Sequence, residues 1–157
     1  MNNGRVKTGE EIRNFELKDS NENLISLSDF KGKKNIYLIF NRGFTWPYCR
    51  RHMAQLRRDY DEFNKRNTVV IAVGPDTQKA FNNFWEKNDM PFIGLADPDH
   101  KVARLYDQEV NLRKFGRIPA QMIIDKAGKF TFVHYSRSMS DIPKDADILK
   151  KLDEMNQ

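Results

Sequence analysis

Two short apolar runs, Ile36-Tyr37-Leu38-Ile39-Phe40 and Thr68-Val69-Val70-Ile71-Ala72-Val73, bracket a stretch whose apolar side chains recur at helical spacing. This arrangement constrains the fold more than any other feature. Each run is short for a helix, rich in β-branched or aromatic residues and closed by turn formers, Asn41-Arg42-Gly43 after the first and Gly74-Pro75-Asp76 after the second. Such runs belong to strands buried on both faces. Between them Met53, Leu56, Tyr60 and Phe63 lie at i, i+3, i+7 and i+10, one face of a helix reaching about Lys65, and Pro47 stands at the first helical position. A strand, a crossover helix and a second strand make a unit with parallel pairing.

The remaining segments extend this unit. Residues 14–27 alternate weakly about the polar cluster Asp19-Ser20-Asn21-Glu22-Asn23, the pattern of an N-terminal hairpin. A helix is predicted over Thr77–Asn88, with Phe81, Phe84 and Trp85 as core side chains rather than a ligand platform, and a short strand over Phe92–Leu95. Asp97-Pro98-Asp99 reads as a turn into a short helix carrying Val102 and Tyr106. Gln121–Ile124 and Lys129–Tyr135, joined by Asp125-Lys126-Ala127-Gly128, form an antiparallel pair, and a last helix runs from about Lys144 to Met155. No repeat or linker interrupts the 157 residues, so one domain over 1–157 is expected: α/β, with a mixed central sheet flanked by helices.

Composition narrows the function. The longest apolar runs fall far short of the roughly 18 residues that a membrane span needs. The N-terminus, Met1-Asn2-Asn3-Gly4-Arg5-Val6-Lys7, has no apolar leader segment, so the expected compartment is the cytosol. Net charge is +5, but basic and acidic residues are interspersed, as in Arg57-Arg58-Asp59-Tyr60-Asp61-Glu62, so a solvated surface is expected rather than a nucleic-acid footprint. The three histidines are scattered and no metal site is expected. His52 is expected on the surface; the alternative is an imidazolium that lowers a neighbouring thiol. With one cysteine, Cys49, no internal disulfide can form.

The loop 41–49 joins the carboxyl end of a buried parallel strand to a helix N-terminus, where open α/β sheets place their ligands. A thiol in the first helical turn faces unpaired amide N–H groups and the positive end of the helix dipole, and Arg42, Arg50 and Arg51 are close in sequence. Both effects favour thiolate, so a reactive Cys49 with a lowered pKa is expected. The alternative is a buried, inert cysteine.

Arg42-Gly43 followed by Pro47-Tyr48-Cys49-Arg50 resembles the R-G-x-x-C-P-Y-C-R stretch of the peroxiredoxin-like branch of the thioredoxin superfamily, the redoxin and alkyl hydroperoxide reductase group. The similarity extends to Leu27–Gly32, to Met90-Pro91-Phe92 with Leu95–Asp99, and to Ile118-Pro119 with Ile123–Gly128. It implies a thioredoxin-like fold, a cis peptide before Pro119, and a peroxidatic role for Cys49. It also marks departures. Trp46 replaces the first cysteine of C-P-Y-C, which removes dithiol exchange, and also the threonine that peroxiredoxins carry there. Arg42 replaces the proline of P-x-x-x-T-x-x-C, and Pro119 stands where a distal arginine is expected. Thr45, Arg42 and Arg117 are therefore the candidate supporting groups around Cys49, with Trp46 and Pro119 shaping the site.

The resemblance implies a hydroperoxide substrate, no cofactor, and an external thiol reductant: glutathione, a thioredoxin-like protein, or Cys49 of another subunit in a homodimer. Two alternatives stay open. One is a monothiol disulfide-exchange or glutathionylation protein; the other is a non-catalytic redoxin-like binding module.

Overall fold

The computed structural model describes residues 4–108, 110–111 and 116–156; Met1, Asn2 and Asn3 of the N-terminal reading lie outside them. The chain opens with a hairpin, β1 (Glu16–Lys18) and β2 (Leu24–Ser26), followed by a 3-10 turn at Leu27–Phe30. Next come β3 (Asn35–Phe40), α1 (Pro47–Lys65), β4 (Thr68–Gly74), α2 (Gln78–Lys87), β5 (Ile93–Ala96) and α3 (Lys101–Leu105). A small antiparallel pair, β6 (Val110–Asn111) and β7 (Gly116–Arg117), precedes β8 (Ala120–Ile124), β9 (Phe130–Tyr135) and α4 (Asp145–Met155). The five-stranded sheet has the order β5-β4-β3-β8-β9, parallel from β5 to β3 and antiparallel from β3 to β9.

The alternation of β3 explains why its apolar run is continuous. Ile36, Leu38 and Phe40 face one core with Phe15, Leu27, Val102, Tyr106 and Phe130. Tyr37 and Ile39 face the other, with Met53, Leu56 and Phe63 of α1, Phe81 and Trp85 of α2, and Ile148 and Leu152 of α4. A strand covered on both faces has no polar side. Phe81 and Trp85 are core, as expected, and the Trp85 indole N–H donates to the Phe92 carbonyl at 2.7 Å. Their packing over β5 leaves no space at Gly94, where a methyl carbon would come within 2.4 Å of both rings.

The helix and strand limits follow the sequence patterns to within a residue or two, because cap signals coincide with them. The Thr77 hydroxyl accepts the Ala80 N–H at the start of α2, and Pro47 opens α1. The peptide before Pro119 is trans, contrary to the cis bond implied by the resemblance. Pro119 immediately precedes β8, and its carbonyl accepts the Ser136 N–H, so the trans chain is tied to the residue that follows β9. Among the described residues no helix is long and apolar enough to cross a membrane.

Candidate active site

The site lies at the carboxyl edge of β3 and β4. Leaving β3, the chain turns at Gly43, whose φ of +136° belongs to the region open to glycine. It is held down by Phe44, which stacks on Phe84 at 4.2 Å and meets Phe81 edge-on at 4.8 Å. This anchorage aims the loop back over the first turn of α1. Trp46 is the N-cap residue and contributes no side-chain cap, so the amide groups of the turn remain available. Asn41 is fixed beneath the loop: its amide donates to the Met53 sulfur at 3.5 Å, and its carbonyl accepts from Gln108 at 3.3 Å.

Cys49 is 2% exposed. Its Sγ accepts the Arg42 backbone N–H at 3.4 Å, and the Gly43 N–H also faces it. The buried Arg42 guanidinium lies 3.5 Å from the centroid of the Trp46 ring, a close cation–π contact. Burial pushes the Cys49 thiol above its ordinary value. The two backbone N–H groups and the Arg42 charge oppose that shift, and the Asp76 charge adds to it. The expectation of a lowered thiol pKa is therefore corrected. The donors and the cation are in place, but removing the sulfur from water outweighs them.

Thr45 is exposed, and the donors facing the sulfur are the backbone groups of Arg42 and Gly43. Trp46 is half-buried beneath Arg42. Pro119 is buried at the start of β8. Arg117 is 1% exposed and bound elsewhere: it donates through Nη2 to the Asp97 carbonyl at 2.6 Å and carboxylate at 3.3 Å, and through Nε to His100 Nδ1 at 2.8 Å. Of the two arginines considered, Arg42 acts on Cys49, whereas Arg117 acts on Asp76. Asp76, whose charge acts on Cys49, was not among the residues expected near the thiol. The signal for it was its place just past the end of β4, beside the end of β3, where ligands collect. Among the described residues no group of three His, Cys, Asp or Glu side chains is arranged to hold a metal ion.

His52 corrects a further expectation, since it is neither on the surface nor an imidazolium. It is buried between α1 and α4, with Nε2 4.0 Å from Asp145 Oδ1, and burial lowers its pKa to about 4. Burial, together with the neighbouring Asp59 carboxyl, raises Asp145 to about 7. Neutral imidazole beside neutral carboxyl is the arrangement with fewest buried charges. The two groups have opposite effects on stability. Unfolded His52 takes up a proton near pH 6.5 and folded His52 only near 4, so its contribution falls as pH drops through that window, by up to about 3 kcal/mol. Asp145 keeps its proton in the fold up to about 7, so its contribution is present below 3.8 and is lost as pH rises to 7. Urea unfolding between pH 7 and 4 is expected to show stability rising on acidification for His52→Gln and falling steeply for Asp145→Asn. Parallel pH profiles for the two variants would contradict this assignment.

This fold, with one thiol held in the first turn of the crossover helix, defines a thioredoxin-like protein. The chain belongs to the AhpC/TSA family, whose sequence model matches residues 8–133, and is a peroxiredoxin-family oxidoreductase. It is 30% identical over 129 residues to the peroxiredoxin Bcp of Bacillus subtilis, covering 79% of this chain and 82% of that one. The fold is shared with the crystal structure of the peroxidoxin BcpB from Mycobacterium tuberculosis, at TM-score 0.84, 23% identity and coverage of 98% of this chain and 100% of the other. It is likewise shared with a cysteine-to-serine mutant of PrxQ from Xylella fastidiosa, at TM-score 0.86, 18% identity and 98% and 99% coverage.

Proposed function

We propose that the chain is a one-cysteine thiol peroxidase. Cys49 sulfur attacks the terminal oxygen of a hydroperoxide, becomes sulfenic acid, and is returned to the thiol by an external thiol such as glutathione or a thioredoxin-like protein. The observation that supports this reading is the placement of the sole thiol, in the first turn of α1 under two backbone N–H groups and beside a buried guanidinium. Donors held rigidly around a reacting sulfur stabilise the charge that develops there. In this reading a hydroperoxide approaches past the exposed edge at Thr45 and Tyr48, and the Arg42–Trp46 stack bounds the reaction space.

Trp46 in place of a cysteine leaves no partner for an intramolecular disulfide, which is why the reductant is placed outside the chain. A cytosolic location is part of the same proposal. Stopped-flow consumption of hydrogen peroxide by the wild type and by Cys49→Ser tests it. Loss of the reaction in the variant supports the reading; equal rates remove it.

A further inference from the structure

Beside the first turn of α1 lies a second concave site to which the peroxidase reading gives no role. It is a cavity of about 320 Å³ between α1 and the start of α4, within the size range of small-molecule sites. Tyr48, Arg51, His52 and Gln55 form one wall, and their spacing of i, i+3, i+4 and i+7 puts all four on one face of α1. Pro143 and Lys144, at the N-terminus of α4, form the other.

The walls of this cavity suit an anion. Arg51 and Lys144 are exposed cations on opposite sides of it, and among the described residues neither is in an ion pair. Helix α4 begins without a side-chain cap, so its first backbone N–H groups are open to a ligand. His52 lines the cavity at 3% exposure, and its Nε2 has no hydrogen-bond partner, since Asp145 Oδ1 stands off at 4.0 Å. The acids of the first turn of α4, Asp145 and Asp147, are not among the residues lining the space. Asp59 is bound by Arg58 at 3.1 Å, and Asp141 accepts the Arg137 N–H at 2.8 Å. The Asp141 carbonyl also accepts the Ser136 hydroxyl at 2.6 Å, which pins the loop that brings Lys144 over α1.

Tyr48 is the chain neighbour of Cys49, so the cavity starts at the turn that carries the sulfur. From Tyr48 to Gln55 the helix rises about 10 Å, about the length of an extended tripeptide. A folded protein does not enter a space of this volume.

Resting on the peroxidase reading, we infer that this cavity binds the reductant, a small carboxylate-bearing thiol of the size of glutathione. The carboxylate lies between Arg51 and Lys144 at the N-terminus of α4, and the thiol end points toward the first turn of α1. The ligand sulfur attacks the sulfenic sulfur of Cys49: an S–S bond forms, the S–O bond breaks, and the thiol proton leaves with the hydroxyl as water. A second molecule of the thiol then attacks the ligand sulfur of this mixed disulfide. Its proton passes to the Cys49 sulfur, which is again a thiol, and the ligand departs as its own disulfide. Two ligand thiols are oxidised, and the oxidising equivalent is the one that hydroperoxide placed on Cys49.

Isothermal titration calorimetry with S-methylglutathione, which keeps the carboxylates and has no free thiol, reads the site in the reduced protein. The wild type is expected to bind it saturably and Arg51→Glu/Lys144→Glu about 10²-fold more weakly. Stopped-flow reduction of peroxide-oxidised Cys49 by glutathione is then compared, in each protein, with reduction by the neutral thiol 2-mercaptoethanol. The ratio of the two rates is expected to fall by about 10²-fold in the double variant and about 10-fold in Arg51→Ala. Both side chains are exposed, so the fold is expected to persist; should the double variant not fold, Arg51→Ala carries both comparisons. S-methylglutathione left unbound, bound equally by wild type and variant, or a rate ratio that does not move would overturn the proposal. Binding by a wild type whose Cys49 forms no sulfenic acid would remove the peroxidase reading and with it the reductant role. Ready oxidation of Cys49 with S-methylglutathione unbound removes this site alone.

Discussion

Cys49→Ser is expected to lower the second-order rate of hydrogen peroxide consumption by on the order of 10³-fold or more, since a serine hydroxyl at neutral pH is a far poorer nucleophile than a thiol in equilibrium with thiolate. The substitution removes one polarisable atom and keeps the shape of the turn, so the fold is expected to persist and circular dichroism should be unchanged. The wild-type rate is expected to climb with pH into the alkaline range, because burial has raised the thiol and each step upward in pH adds to the thiolate fraction. Sustained turnover is expected only when an external thiol is supplied, as the chain holds no second cysteine. Stopped-flow traces of both proteins over a pH series check all of this. A variant as fast as the wild type would place the chemistry on another group.

Asp97→Ala is expected to destabilise the fold by about 3–5 kcal/mol, the cost of leaving a buried guanidinium without its counter-ion. Asp97 and Arg117 are each 1% exposed, and their side chains meet at 3.3 Å. The same carboxylate accepts the N–H groups of Val102 and Ala103, at 3.2 and 3.0 Å, so the first turn of α3 loses its acceptor as well. Arg117 in turn ties the end of β7 to the carbonyl of Asp97 and to His100, so the pair joins the segment leading into β8 to the end of β5. Replacing both charges, Asp97→Asn with Arg117→Met, is expected to cost much less than Asp97→Ala alone, because a buried pair is expensive to break and cheap to neutralise. Urea denaturation of the three proteins makes the comparison, and a double variant less stable than Asp97→Ala would refute it.

The sheet centre and α1 were legible because their signal is local. The apolar run of β3 and the i, i+3, i+7 spacing of Met53, Leu56 and Tyr60 require no knowledge of distant residues. The position of Cys49 in the first helical turn was legible for the same reason, from Pro47 and the strand before it. Its ionisation state was not. Proximity to Arg42 can be read along the chain, but desolvation comes from packing across the chain, which leaves Cys49 only 2% exposed. His52 was misplaced because α4 covers that face of α1, and nothing near His52 in sequence announces Asp145. Arg117 carried the right charge, yet its partner Asp97 lies twenty positions away and takes it from the sulfur. The stretch after Tyr106 had no clear periodicity, and β6 and β7 are two-residue strands that no pattern of that length reveals.

The claim on which the rest depends is that the Cys49 sulfur is the atom that hydroperoxide oxidises. Treating the protein with one equivalent of hydrogen peroxide in the presence of dimedone, followed by peptide mass spectrometry, tests that atom directly. A dimedone adduct on the peptide containing Cys49, formed only when peroxide is added, is the predicted result. Peroxide consumed with Cys49 left unlabelled and still a free thiol would contradict it.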